Sequence, residues 1–153
     1  MKNVLKKMTL PLLIIFVATT IGLYIQYQSQ KQEIYYQTYI MTQNFLMHLD
    51  RFLAYQKPLI DAEWSDELTD EYNDRLRAIV LHSNGTVMLI DMDDEEVQEK
   101  RFIFGDIRLE LYQFGEVETP DERKDRYENL LNMRDELQDY LDYLNENYPI
   151  PDA

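Results

Sequence analysis

The sequence predicts an α+β protein: a single N-terminal transmembrane helix continues into a long helical stalk, followed by a small antiparallel β sheet of two hairpins and a long C-terminal helix. Three observations support this class: an apolar run at residues 8–27, a hairpin turn at Asn84-Gly85 and a capping motif at Thr119-Pro120-Asp121-Glu122. The chain then divides into a cytoplasmic tail (1–7), a transmembrane signal anchor (8–27), a stalk (28–58) and an acidic extracytoplasmic α+β domain (59–153).

The apolar run, MTLPLLIIFVATTIGLYIQY, contains no side chain that ionises near neutral pH. Its twenty residues, at about 1.5 Å each, cover roughly 30 Å, which is the thickness of a bilayer core. Pro11 falls in the first turn, where a helix tolerates proline. Tyr24 and Tyr27 stand at the far end, as expected for an aromatic belt at a membrane surface.

The charges beside this run predict its orientation. Lys2, Lys6 and Lys7 precede it, whereas Lys31 and Glu33 beyond it cancel. The positive-inside rule then places the N-terminus in the cytoplasm and makes the chain a single-pass cell-membrane protein. A cleaved signal peptide is the competing interpretation. The anchor is favoured because apolar residues continue beyond any cleavage site and no A-x-A motif is present.

A short segment beside the membrane run, Lys7-Met8-Thr9-Leu10-Pro11, distantly resembles the processing region of type IV prepilins and competence pseudopilins. The resemblance implies a membrane helix that continues into a stalk and then an antiparallel sheet. It stops at Lys7, where the processing peptidase needs Gly, and at Leu12, where most members carry Glu. The similarity therefore concerns architecture, and a pseudopilin-like subunit is the third functional alternative.

The stalk is predicted to be one helix as far as Lys57, because residues 26–57 lack Gly and Pro and Pro58 follows. Its apolar positions recur at steps of four and three for more than three heptads, typical of a coiled coil. We call five of them the stalk stripe and predict that they contact a partner: Ile34, Met41, Phe45, His48 and Phe52. Self-association, partner docking and coverage by the rest of the chain all remain open. His48 is expected to be a packed side chain rather than a metal ligand.

The acidic domain is predicted to begin with a short helix from Asp61 to Leu76. Arg77–Ser83 and Thr86–Met92 then form the strands of the first hairpin, joined by Asn84-Gly85. A helix that runs to Ser83, with Gly85 as its C-cap, is the structural rival.

Two further features precede the last helix. The acidic segment Asp91–Glu96 suggests a calcium site, but Glu96 and Phe102 occupy the positions where an EF-hand loop needs Gly and Glu. A solvated acidic turn is the preferred interpretation. A second hairpin is predicted with strands at 101–104 and 107–114, because apolar and polar residues alternate in the second of them.

The C-terminal helix is predicted to begin after an N-cap Thr119, with Pro120 at its first position and Glu122 at its third, and to run to about Tyr148. A row of apolar residues recurs at steps of three and four along it. This row is predicted to contact a partner or the core and consists of Leu130, Met133, Leu137, Tyr140 and Leu144.

The composition argues against several partners and activities. The chain holds 15 Lys plus Arg against 29 Asp plus Glu, and residues from 61 onward hold 9 basic and 27 acidic residues. A domain of this charge repels phosphates, so nucleic acid is not an expected partner. The sequence has no Cys and no HExxH motif, and its three serines lie outside any Gly-x-Ser-x-Gly turn. No cofactor, metal site or enzymatic activity is therefore expected, although a pair of catalytic carboxylates stays open.

Two functions follow as expectations. The leading one is a non-catalytic bitopic membrane protein, an accessory or regulatory subunit of an envelope or cell-surface assembly that acts by protein–protein contact or self-association. The alternative is an extracytoplasmic ligand or cation sensor that works with another membrane protein, since only residues 1–7 lie inside. The absence of Cys together with a plain signal anchor favours a bacterial envelope.

Overall fold

A computed structural model describes residues 2–61, 77, 78, 80, 94–100, 102–117 and 119–148. Within these residues the regular structure consists of helices: α1 (Lys2–Asp61), α2 (Glu95–Lys100), α3 (Ile103–Phe114) and α4 (Pro120–Asn147). The predicted α+β class is wrong for this part of the chain, because it contains no strand. The sheet that the pseudopilin resemblance implied is likewise not seen there.

Helix α1 joins the apolar run and the stalk without a break, as predicted. Its N-terminal part is long and apolar enough to cross a membrane. The large apolar side chains of this part that the structure describes are exposed, and Leu12, Phe16 and Ile25 are each at least 60% exposed. A core helix of a soluble protein would bury such side chains, so this exposure fits a membrane span or a signal sequence rather than a core helix.

The predicted end of the stalk is wrong by one turn, since α1 continues through Pro58 to Asp61. Proline removes one backbone N–H from the ladder and crowds the carbonyl four residues earlier. At Pro58 this disturbance affects only the last turn of a sixty-residue helix, so the helix continues for three residues more.

The distal half of α1 packs against α3 and α4. Phe45 and Phe52 of α1 contact Phe104 and Phe114 of α3 in the same chain order, with centroid separations of 5.3 Å in both pairs, so α1 and α3 are parallel. Helix α4 is antiparallel to α1, because Asp50 pairs with Arg134 whereas Tyr35, nearer the membrane run, stacks on Tyr148. The C-terminal end of α4 therefore returns toward the membrane run of α1.

The second predicted hairpin is wrong, because its strands at 101–104 and 107–114 coincide with α3. The apolar residues there fit both the two-residue period of a strand and the 3.6-residue period of a helix. Alternation groups Ile107, Leu109 and Leu111 on one side of a strand, but a helix buries Ile107 and Leu111 and leaves Leu109 57% exposed. The helical solution wins because it also brings Phe104 and Phe114 into the core, both at most 4% exposed.

The first predicted hairpin is contradicted where it is described, since Arg77, Ala78 and Val80 are helical. These three helical residues agree with the rival helix rather than the strand, and Val80 is fully buried. The remainder of this hairpin, including Asn84-Gly85, lies outside the described residues. Most of the predicted short helix from Asp61 to Leu76 and the acidic residues 91–93 lie outside them too.

The start of the C-terminal helix is confirmed. The Thr119 side chain accepts a hydrogen bond from the Glu122 backbone N–H at 3.3 Å, and Pro120 occupies the first helical position. Proline fits there because the first four N–H groups of a helix have no intrahelical partner. Helix α4 ends at Asn147, one residue before the predicted limit.

Candidate functional site

The stalk stripe is divided between the core and the surface. Phe45 and Phe52 are at most 1% exposed beneath α3, Met41 and His48 are partly buried, and Ile34 is 39% exposed. A partner that contacted Phe45 or Phe52 would first have to separate α1 from α3. The partner-contact role of this stripe stays a prediction, and only its membrane-proximal end is open in the folded chain.

The row on α4 lies in the same core. Met133 is partly buried and packs against the core, and the other four members are buried within it: Leu130, Leu137, Tyr140 and Leu144. Tyr140 meets Phe104 edge to face, with ring centroids 6.1 Å apart, and Phe104 in turn meets Phe45. These three rings join α4, α3 and α1, so within one chain the row acts as a core.

An aromatic cluster closes the membrane-proximal end of the bundle. Tyr35 stacks on Tyr148 with ring centroids 3.5 Å apart, and Tyr143 meets Tyr148 at 6.4 Å. The hydroxyls of Tyr143 and Tyr148 both donate to Oδ2 of Asp94, the former at 3.1 Å. We call these four residues the tyrosine–aspartate cluster. It fastens the end of α4 to the base of the stalk.

Asp94 also caps helix α2. Its Oδ1 accepts the Val97 backbone N–H at 3.3 Å, so the same carboxylate caps α2 while its other oxygen receives the two tyrosine hydroxyls. The negative charge also acts on nearby Tyr140. Burial, followed by the charge of Asp94, raises the pKa of the Tyr140 hydroxyl above its ordinary value of about 10.

Two arginines of α4 bind carboxylates on neighbouring helices. Arg134 donates to Asp50 of α1 from Nε at 2.8 Å and from Nη2 at 3.5 Å, and hydrogen bonding to Asp50 is the main cause of its raised pKa. Arg126 donates to buried Glu110 of α3 at 3.0 Å and also to Gln113. The side chains of the Arg134 pair are 30% and 45% exposed, so the pair contributes orientation more than stability.

The described cavities are open grooves. One groove of about 660 Å³ lies between α2, α3 and α4. Lys100 and Ile103 line it together with five carboxylates: Glu95, Glu99, Asp106, Glu136 and Asp139. A second of about 650 Å³ runs between α1 and α4 beside Tyr39, Met47 and Leu141. Among the described residues there is no group of three or more His, Asp or Glu placed to hold a metal.

Helix α3 shows an outer surface that the sequence reading missed. Phe102, Leu109 and Tyr112 are 63%, 57% and 58% exposed and lie on the side of α3 opposite its core residues. We call these three residues the α3 outer surface. Gly105 lies on the same side, and a Cβ placed there would meet nothing within 4 Å. Helical periodicity from Ile103 onward would have revealed this surface, had the segment been read as a helix.

The chain was compared with family models, curated proteins and solved structures. No match was found. Arguments about function therefore depend on the residues themselves, chiefly on the exposed α3 outer surface and on the apolar N-terminal part of α1.

Proposed function

We propose that this chain is a non-catalytic, single-pass membrane protein that serves as an accessory or regulatory subunit of an envelope or cell-surface assembly. One observation carries the proposal: a bundle whose core is filled by its own helices still exposes large apolar side chains on α3. Leu109 and Tyr112 lie a helical turn apart and are each more than half exposed. Exposed apolar patches of this kind are typical of protein-contact sites.

The membrane part supports the same proposal. The apolar part of α1 is exposed and continuous with the bundle, and Lys2, Lys6 and Lys7 precede it. Under the positive-inside rule the bundle is extracytoplasmic and the N-terminus is cytoplasmic. A tether of this kind holds the α3 outer surface at a fixed height above the bilayer, where another membrane or surface protein would meet it.

The test for contact uses the full chain, tagged after Ala153, purified from detergent-solubilised membranes. The double variant Leu109→Ser and Tyr112→Ser removes apolar surface that is already exposed, so its stability should stay within about 0.5 kcal/mol of the unmodified chain. The matched control, Glu128→Ser and Asn132→Ser, changes two exposed residues of α4. We expect the apolar double variant alone to lose a co-purifying protein.

The contrary results are equally definite. Retention of every co-purifying protein by the apolar double variant, or the absence of any co-purifying protein in the unmodified chain, contradicts a contact role for this surface.

Topology is tested separately with a reporter fused after Ala153 that is active only outside the membrane. Reporter activity only in the cytoplasm would contradict the proposed orientation.

A further inference from the structure

The α3 outer surface has the spacing of a seam between two helices. Phe102, Leu109 and Tyr112 are 63%, 57% and 58% exposed. Together with Gly105 they recur at steps of three, four and three, which places them in one row along α3. A Cβ at Gly105 would meet nothing within 4 Å, so another helix can approach closely at the middle of the row. The row therefore fits a single helix lying along α3.

The row alone is too small for a specific interface. From Phe102 to Tyr112 it is about 15 Å long, given a rise of about 1.5 Å per residue, and a helix is about 10 Å wide. A partner that covered only this row would bury about 150 Å² on each side, or about 300 Å² in total, whereas a specific interface needs roughly 1,000 Å². The partner must therefore extend onto a neighbouring surface.

An acidic groove adjoins the row along one edge. Asp106 lies one turn from both Phe102 and Leu109, and it also lines the groove of about 660 Å³ between α2, α3 and α4. Lys100 is the one cation among the described residues that line this groove, and its ammonium lies 5.8 Å from the centre of the Tyr143 ring. The groove therefore presents an excess of negative charge directly beside the apolar row. Its other carboxylates belong to Glu95, Glu99, Glu136 and Asp139.

We infer that the α3 outer surface receives a basic amphipathic helix of another membrane or surface protein. Apolar side chains of that helix cover Phe102, Leu109 and Tyr112, while Lys or Arg side chains on one of its flanks bind the carboxylates of the acidic groove. The inference rests on the contact role proposed above and names the chemistry of the partner. Opposite charges across an interface steer association and exclude partners of the wrong sign.

The charge distribution argues against a second copy of this chain as the partner. Residues from 61 onward hold 9 basic and 27 acidic residues, so this region of one copy repels the same region of another. The lysine cluster of the chain, Lys2, Lys6 and Lys7, precedes the membrane run and lies in the cytoplasm under the proposed topology, whereas the bundle lies outside. The basic helix then belongs to a different protein.

Photocrosslinking in intact membranes tests the chemistry of the partner. The photoreactive residue p-benzoylphenylalanine replaces Tyr112 in the full chain, and the control carries it in place of Glu128, an exposed residue of α4. We expect position 112, but not position 128, to be crosslinked to one protein, through a segment with a net positive charge and apolar residues at steps of three and four. Mass spectrometry of the crosslinked peptide identifies this segment.

Neutralising the groove tests the electrostatic contribution. A triple variant, combined with the crosslinker at position 112, removes three exposed carboxylates of the groove: Glu99→Gln, Glu136→Gln and Asp139→Asn. Three exposed ion pairs together contribute about tenfold in affinity, so we expect the crosslink yield to fall about tenfold. The matched control should keep the yield within about twofold, because its charges lie outside the groove. It removes three exposed carboxylates elsewhere on α4: Asp125→Asn, Glu128→Gln and Glu146→Gln.

The outcomes separate this inference from the proposed function. A crosslink from position 112 to a neutral or acidic segment, or to a second copy of this chain, overturns the basic partner and leaves the contact role intact. The same holds if the groove variant lowers the yield no more than its matched control does. A yield at position 112 that does not exceed the yield at position 128 refutes the contact role itself, and this inference with it.

Discussion

Gly105 gives the sharpest test of the helical assignment of α3, because a hairpin and a helix predict opposite effects of adding a methyl group. In the predicted hairpin Gly105 is a turn residue, where glycine is favoured for its access to positive φ. In the structure it is the third residue of α3, and its Cβ would meet nothing within 4 Å. Gly105→Ala should therefore stabilise the folded chain.

The magnitude follows from helix propensity. Ala is favoured over Gly by about 0.8–1.0 kcal/mol in a helix interior, and the first turn, where Gly105 lies, should give about half of this. A gain of about 0.5 kcal/mol raises the melting temperature by about 2–4 °C in a domain of this size. Circular dichroism at 222 nm on the full chain in detergent micelles, with heating and cooling scans that coincide, measures the shift.

The other end of α3 supplies the control. A Cβ at Gly115 would overlap the guanidinium of Arg77, so Gly115→Ala must displace that side chain. The φ angle of Gly115 is −77°, so its backbone imposes no strain, and the guanidinium is the far end of a flexible side chain that can move aside. We expect Gly115→Ala, which lies just beyond the helix, to change the melting temperature less than Gly105→Ala does. A decrease in melting temperature for Gly105→Ala would refute the helical assignment of this segment.

The remaining predictions concern the core. Phe104→Ala should lower the free energy of unfolding by about 3–5 kcal/mol, because Phe104 is 1% exposed at the junction of three helices. Leu109→Ala, on the opposite side of α3, should change the free energy of unfolding by less than about 1 kcal/mol. Urea unfolding measures both variants, and equal losses would contradict the assignment of the buried and exposed faces of α3. Burial raises the pKa of the Tyr140 hydroxyl, so the stabilisation from its neutral form is fully present below the unfolded-state pKa of about 10 and is lost as the pH rises from there toward the raised folded-state pKa. Tyr140→Phe should therefore reduce the loss of stability above about pH 10, measured by urea unfolding at a series of pH values, and an unchanged loss would contradict this assignment.

Local signals predicted the two long helices well. The joined membrane run and stalk follow from a sequence without Gly or Pro over 26–57, and the start of α4 follows from Thr119 and Pro120. In each case the residues that determine the helix lie within one helical turn of each other or along one helix. Pairwise contacts between distant segments were not needed.

The short segments were not predictable in the same way. Between Ile103 and Phe114 the apolar residues fit a strand and a helix almost equally, so local sequence does not decide. What decides is the surface offered by α1, where Phe45 and Phe52 receive Phe104 and Phe114 at matching spacing. Tertiary packing overrides local pattern here, as it often does for strand-like segments.

The candidate sites show the same division. The cluster in which Tyr143 and Tyr148 donate to Asp94 joins residues 49 and 54 positions apart, and the bond between Arg134 and Asp50 spans 84. Hydrogen bonds between residues so far apart in the sequence cannot be predicted from a motif of fixed spacing. The stalk stripe, by contrast, was readable as an apolar face, but periodicity alone does not say whether another protein or the same chain covers it.

The unbroken length of α1 links these points. A helix whose apolar end is exposed and whose other end forms the core cannot rotate one half without rotating the other, so the side that α3 and α4 cover fixes the orientation of the apolar part about the helix axis. If the apolar part spans a membrane, as proposed, a change that rotates it there would also rotate the α3 outer surface above the bilayer.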